Sequence, residues 1–302
     1  MNLGTVSTAL VTPFTENGEV DYDQLQELVR HLLATGSESL VVNGTTGESP
    51  VLTHEEKIAV IQAVVNEVNG KVPVIAGTGS NNTAQTIAFT KEVECLGVDG
   101  CMVVVPYYNK PNQRSLVAHF TAIADSAEKP LMLYNIPGRS VVNMTAETTA
   151  TLSQHPRIEW MKEASGNMEQ IAEVLSKSSS GFTVYSGDDG LTLPLYTIGA
   201  AGIVSVASHI VGNEMQQMLK AFREGQHEKA ANYHKLLLPV FNQLFTAPNP
   251  TVVKYALSKL HGFSDTVRLP LLTLTESEKA QFDEVWADFT EKQNNWLNTD
   301  QD

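Results

Sequence analysis

Residues 158–175 read IEWMKEASGNMEQIAEVL, and this stretch carries one complete unit of the chain's architecture. Ile158, Trp160 and Met161 make a short apolar run, the pattern of a strand buried on both faces. By period-two alternation Lys162 shares a face with Ile158 and Trp160, while Glu163 points the other way. Ser165 and Gly166 then break the run. Asn167 and Gln170 resemble a capping-box pair, ahead of Ile171, Val174 and Leu175 at helical spacing.

Working outward, the same unit recurs. Apolar runs at residues 5–11, 39–42, 72–76, 100–105, 130–134, 183–186 and 202–206 bring the strands to eight with 158–162. Helices lie between them. Leu25, Leu28, Val29, Leu32 and Leu33 fall at helical spacing between a cap at Asp21 and Gly36, and Thr53 and Glu56 form a capping box ahead of Ile58, Ile61, Val64, Val65 and Val68. Strand and helix alternate every roughly 20–35 residues, which predicts parallel strands with right-handed crossovers. Eight such units favour an α/β fold of the (β/α)8 TIM-barrel class over an open doubly wound sheet. From Asn213 onward the pattern is helical, at 213–222, 228–245, 250–260 and 276–296. The expected organisation is a catalytic barrel over residues 1–225 and a C-terminal helical extension over 226–302, packed on the barrel. The tail at 298–302 is polar and expected to fray.

Composition narrows the function. Twenty Lys and Arg against 34 Asp and Glu give a net charge of −14. The cations are scattered, so no basic face offers itself to nucleic acid or to an anionic membrane. Two cysteines, Cys95 and Cys101, do not make a disulfide framework, and the eight histidines show no metal-ligand spacing. No catalytic metal is expected. The N-terminal residues lack a signal-peptide pattern, and no apolar run reaches the ~18 residues of a membrane span. The cytoplasm is the expected location.

In a barrel of this class the active site gathers at the C-terminal ends of the strands. Lys162 stands at such an end. If its face is inward, burial lowers its pKa and yields a neutral amine that attacks a ketone to form an imine. A buried Lys–Glu pair is the structural alternative. The second strand ends in Asn43-Gly44-Thr45-Thr46-Gly47-Glu48, which either presents N–H groups and hydroxyls to a small anion or is an ordinary capped turn. The fifth ends in Tyr134-Asn135-Ile136-Pro137-Gly138-Arg139. Tyr134 would face the barrel mouth, and Arg139, a natural carboxylate clamp, would turn back over it. Weaker signals are the paired Tyr107 and Tyr108 in PYYNKP (106–111), Ser186-Gly187-Asp188-Asp189, where Asp188 either lines the site or caps a helix, and Gly77-Thr78-Gly79-Ser80, which suggests a phosphate loop but lacks the Walker lysine.

Taken together, these residues resemble the pyruvate-dependent class I aldolase superfamily that includes dihydrodipicolinate synthases and N-acetylneuraminate lyases. The resemblance runs from Thr8-Ala9-Leu10-Val11-Thr12-Pro13-Phe14 to Arg268-Leu269-Pro270. It is carried by Gly44-Thr45-Thr46-Gly47-Glu48, Tyr134-Asn135-Ile136-Pro137 and Lys162-Glu163-Ala164. Gly138-Arg139-Ser140 and residues 106–111 favour the dihydrodipicolinate synthase family. The resemblance implies a pyruvate imine on Lys162 with no other cofactor. It implies Thr45 and Thr46 on the pyruvate carboxylate, and Thr45, Tyr134 and Tyr108 as a proton relay, Tyr108 coming from a neighbouring subunit. Arg139 would bind L-aspartate 4-semialdehyde, and Gly187 and Val204 would line the pyruvate pocket. The implied product is 4-hydroxy-tetrahydrodipicolinate, in the first step of the diaminopimelate and lysine branch. The implied assembly is a homotetramer built from tight dimers.

Three positions depart from the family pattern. Trp160 stands where a small residue is usual. Lys57 and Gln85 replace the His and Glu of lysine-inhibited members, although Asn81 and Tyr107 of that allosteric site are retained and His54 lies nearby. Feedback inhibition by lysine is therefore expected to be weak or absent. The competing readings are a sibling aldolase acting on N-acetylneuraminate or a 2-keto-3-deoxy sugar acid, a non-catalytic keto-acid binder, and a phosphate-binding barrel. Arg139 argues against the first, the intact Thr45, Tyr134, Arg139 and Lys162 against the second.

Overall fold

Eight short strands form a closed parallel barrel in sequence order, and β8 pairs with β1. They are β1 (Val6–Ala9), β2 (Ser39–Val42), β3 (Val74–Gly77), β4 (Gly100–Val104), β5 (Leu131–Asn135), β6 (Ile158–Glu163), β7 (Thr183–Ser186) and β8 (Gly202–Ser205). The computed structural model describes residues 1–299, with side chains to residue 296. Two strands start just after a proline, which has no N–H to give the ladder. Pro73 precedes β3 and Pro130 precedes β5, yet their carbonyls still accept from Leu40 and Cys101, both at 3.0 Å.

The helices are α1 (Tyr22–Ala34), α2 (His54–Val68), α3 (Thr83–Glu94), α4 (Gln113–Ser126), α5 (Pro137–Ser140), α6 (Ala146–Leu152), α7 (Met168–Lys177), α8 (Thr192–Thr197), α9 (Ser208–Arg223), α10 (His227–Gln243), α11 (Thr251–His261) and α12 (Glu276–Thr299). Asp21 caps α1 by accepting from the Gln24 N–H. Thr53 and Glu56 make a full capping box on α2. At α7 only half of the expected box forms. Asn167 accepts from the Gln170 N–H, but the Gln170 side chain turns to Asn143 and the Met144 carbonyl instead. Among the described residues, no helix is long and apolar enough to cross a membrane.

Burial on both strand faces produces two separate apolar layers. Ala9, Val41, Ile75, Met102, Met132, Tyr134, Trp160, Tyr185 and Val204 fill the barrel. Leu40, Val42, Val74, Val103, Leu133, Met161, Val184 and Ile203 pack outward under the helices. Ile158 belongs to the outer layer, which corrects the expectation that it shares a face with Trp160 and Lys162. The pairing runs Leu131↔Ile158 and then Met132↔Trp160, so Glu159 is an extra residue and the alternation slips there.

Trp160 occupies the barrel floor. Its indole N–H donates to the Met1 carbonyl at 3.2 Å, and its ring lies where Gly100 leaves room. A Cβ on Gly100 would stand 2.8 Å from Trp160 Cζ3 and 2.9 Å from the Pro130 carbonyl oxygen. The large ring is thus matched by a missing side chain on β4, below the level of Lys162.

After the eighth strand, α9 begins at Ser208 rather than at Asn213. A kink at Val211 (φ −134°) interrupts its helical periodicity. Helices α10, α11 and α12 follow, with α10 packed on both α9 and α12. Helix α12 runs through Thr299, so the backbone at positions 298–299 is helical where fraying was expected. Positions 300–302 lie outside the described residues.

Candidate active site

Lys162 ends the inward face of β6 and is 6% exposed. Its amine is pushed down from the ordinary 10.5 to about 8, chiefly by burial; Asp189 opposes the shift and Arg139 adds to it. Directly across the barrel ladder stands Tyr134 on β5, paired with Lys162 in register. The amine lies 4.6 Å from the centre of the Tyr134 ring. Burial raises the Tyr134 phenol to about 12, against the lowering effect of Arg139. An amine that gives up its proton more readily than an ordinary lysine, beside a protonated phenol, is the arrangement that carbonyl addition and dehydration require.

The surroundings hold this pair in place. Gly187, just past β7, gives the lysine stem its space, since a Cβ there would meet Lys162 Cε at 3.1 Å. Glu163 points away from the barrel interior, as the alternation predicts. Its buried carboxylate accepts from the Ser165 N–H at 2.6 Å and from Asn135 Nδ2 at 3.1 Å. Asn135 and Glu163 are register partners immediately after Tyr134 and Lys162, so this outer hydrogen bond ties together the two strand ends that carry the inner pair. Asp189 is buried too, accepting from the Ser205 hydroxyl and the Val206 and Ala207 N–H groups.

A cavity of about 300 Å³ opens over the barrel mouth, lined by Thr45, Tyr134, Arg139, Met102, Lys57 and Tyr107 among others. Arg139 also borders a second depression with Gly187, Asp188 and Phe245. The Pro-Gly-Arg-Ser segment is a single helical turn, α5, which sets Arg139 between the two. Thr46, next in the chain, is buried and accepts from Asn249 Nδ2 at 2.9 Å. Val204 is on the inner barrel layer with Tyr134.

Tyr108 is not brought to this cavity. It is 88% exposed and sits at φ +74°, a backbone region that non-glycine residues seldom adopt. Asn81 braces that loop, donating to the Tyr107 carbonyl at 3.2 Å and accepting from Asn109 at 2.9 Å. His54 pairs instead with Glu92 on the surface, and Gln85 is exposed on α3. Asp188 caps the turn at Gly190. The glycines of the suspected phosphate loop have a packing reason, because a Cβ on Gly79 would stand 2.5 Å from the Val104 nitrogen.

Two residues next to the site were not singled out from sequence. Lys254 and Asn249 come from the C-terminal region and grip the Thr45–Glu48 loop. Lys254 is 1% exposed and pairs with Glu48 at 2.5 Å. Its signal was a lysine among the buried residues Val252, Val253, Ala256 and Leu257. Among the described residues, no group of three or more His, Cys, Asp or Glu side chains could hold a metal ion.

Comparison with known proteins identifies the family. Residues 2–288 match the model of the dihydrodipicolinate synthetase family. The chain is 56% identical over 284 residues to 4-hydroxy-tetrahydrodipicolinate synthase 1 of Halalkalibacterium halodurans, covering 94% of this chain and 96% of that one. The crystal structure of a dihydrodipicolinate synthase from Bacillus anthracis superposes with a TM-score of 0.93 at 50% identity, over 94% of this chain and 98% of that one. The enzyme from Cyanidioschyzon merolae, solved with lysine bound, superposes with a TM-score of 0.92 at 46% identity, over 95% and 98%. The barrel fold and these likenesses agree, and the chain belongs to the dihydrodipicolinate synthetase family.

Proposed function

We propose that this chain is a lyase that condenses pyruvate with L-aspartate 4-semialdehyde to give 4-hydroxy-tetrahydrodipicolinate, with Lys162 as the imine-forming residue. The observation that carries the residue assignment is the buried Lys162 amine, held near pKa 8 beside the Tyr134 phenol. Lys162 Nζ adds to the pyruvate carbonyl carbon, and the carbinolamine loses water to leave a protonated imine. Tyr134, with Thr45 beside it on the cavity wall, passes the protons. Loss of a methyl proton gives the enamine, whose carbon attacks the aldehyde. The amino group of the second substrate then displaces Lys162 from the imine carbon, closing the ring and freeing the enzyme.

Thr45 and Thr46 hold the pyruvate carboxylate in this reading, Gly187 and Val204 shape its pocket, and Arg139 takes the carboxylate of the semialdehyde. Tyr108, which projects from its own chain, completes the relay of a neighbouring subunit in a tight dimer, two of which form a tetramer. No cofactor takes part beyond the covalent imine.

The test is pyruvate consumption with L-aspartate semialdehyde, beside N-acetylmannosamine and glyceraldehyde as rival acceptors. Turnover with the semialdehyde alone is expected. Borohydride added with pyruvate is expected to leave a stable mass on Lys162, and Lys162→Ala to lose both adduct and turnover. Turnover with a sugar acceptor would overturn the role of Arg139, and a labelled residue other than Lys162 would overturn the nucleophile.

A further inference from the structure

The hydroxyl of Thr46 is buried and already accepts one hydrogen bond, from Asn249 Nδ2 at 2.9 Å. A hydroxyl has one hydrogen to give and two lone pairs to receive with. Because Asn249 occupies a lone pair, the Thr46 hydrogen is not spent on it. No hydrogen bond from that hydrogen is found among the described residues, and Oδ1 of the same Asn249 amide is buried and likewise without a partner. A buried donor left without an acceptor is costly, and a substrate carboxylate would satisfy it.

Asn249 is itself 8% exposed and lies outside the barrel proper, just ahead of α11. The same region grips the Thr45–Glu48 loop at a second point. Lys254 Nζ holds Glu48 Oε1 and also donates to the Thr266 carbonyl at 2.7 Å, while the Arg268 N–H donates to Glu48 Oε2 at 3.0 Å. Glu48 needs such a hold, because its backbone is in the left-handed region at φ +54°. The ion pair fixes the loop backbone; the Asn249 amide fixes which way the Thr46 hydroxyl is polarised.

We infer that Asn249 is a positioning residue for the keto-acid carboxylate, acting through Thr46 by keeping the Thr46 hydroxyl a donor. This rests on the reading above that Thr46 binds that carboxylate. Asn249→Asp is nearly isosteric but reverses the polarity: the new carboxylate takes the Thr46 hydrogen and adds a negative charge. Asn249→Ala leaves the hydrogen free and removes only the orientation.

The experiment measures steady-state kinetics for wild type, Asn249→Asp, Asn249→Ala, Thr46→Val and Thr46→Val combined with each Asn249 change. Thermal midpoints are measured in parallel. Asn249→Asp is expected to raise KM for pyruvate about tenfold, more than Asn249→Ala does. KM for the semialdehyde should stay unchanged, and Lys162 should still be trapped by borohydride at saturating pyruvate. In the Thr46→Val background the Asn249→Asp effect should shrink to what the added charge alone costs, and the Asn249→Ala effect should vanish. Loss of kcat and of affinity for both substrates together, in step with a fall in the thermal midpoint, would reduce Asn249 to a structural part and overturn the inference. So would a pyruvate KM that Asn249→Asp leaves unchanged while Thr46→Val raises it. If Thr46→Val itself leaves that KM unchanged, the assignment of Thr46 fails and the inference with it. Should Asn249→Asp not fold, Asn249→Ala carries the test. A KM rise absent in the Thr46→Val background supports the inference, and an additive rise overturns it.

Discussion

In the proposed reaction Lys162 loses a proton before it attacks, so its pKa sets the pH dependence of imine formation. With a value near 8, the neutral fraction climbs about tenfold per pH unit below that point and levels off above it. The rate of pyruvate adduct formation, quenched into borohydride, is therefore expected to rise with pH and inflect near 8. Arg139 lowers the Lys162 pKa, so Arg139→Ala should move the inflection to higher pH. The same variant should lose a charge-assisted hydrogen bond worth about 1.5–3 kcal/mol, or about 10- to 150-fold in kcat/KM for the semialdehyde. An unmoved inflection would sink the electrostatic account, and an unchanged kcat/KM would sink the clamp. Lys57 supplies a separate expectation. It puts a half-buried cation, its pKa lowered by burial, on the cavity wall, while Gln85 and His54 remain outside. Micromolar L-lysine should leave the steady-state rate unchanged; strong inhibition would contradict this. At this scale the sequence was legible where a polar residue interrupts an apolar run, as at Lys162. It was silent on Asn249, whose partner Thr46 is distant along the chain.

At the level of elements, β4 and β6 show packing that neither strand displays alone. Gly100→Ala would drive a methyl into the Trp160 ring, the Pro130 carbonyl and Ile75 Cδ1. A loss of about 1–3 kcal/mol in urea unfolding is expected from such overpacking. Trp160→Ala alone should cost about 3–5 kcal/mol by opening a cavity. The double variant should be more stable than the sum predicts, because the added methyl no longer meets the ring. It should not recover fully, since the Pro130 oxygen remains at 2.9 Å. Strict additivity would show that the two residues do not compete for one space. The strands were readable because both their faces are buried and apolar. The slip at Glu159 was not, because an extra residue in a strand is decided by the partner it pairs with, here β5. The capping box at Thr53 formed from local sequence alone, while Gln170 left its expected partner for Asn143, a residue that folding brings to it.

For the whole molecule, the decisive residue is Tyr108, extended into solvent in a strained backbone conformation. If it serves a neighbour's site, two inactive variants should rescue each other. After mixing and subunit exchange, Lys162→Ala and Tyr108→Phe chains form pairs in which the Tyr108→Phe chain keeps its own Lys162 and receives an intact Tyr108 from its partner. Turnover is expected to rise above that of either variant alone. No rise after demonstrated exchange would remove Tyr108 from the shared relay. By itself the sequence determined the barrel and the order of its strands and singled out Lys162 as the candidate for imine formation, because each rests on local patterning: apolar runs, helical spacing, and a lysine at a strand's C-terminal end. Only the tertiary structure decided that Trp160 fits against Gly100, that Glu163 and Asn135 tie the strand ends behind Lys162 and Tyr134, and that Asn249 and Lys254 reach back to the Thr45–Glu48 loop. Those contacts join residues far apart in the chain, and their geometry exists only once the barrel has closed.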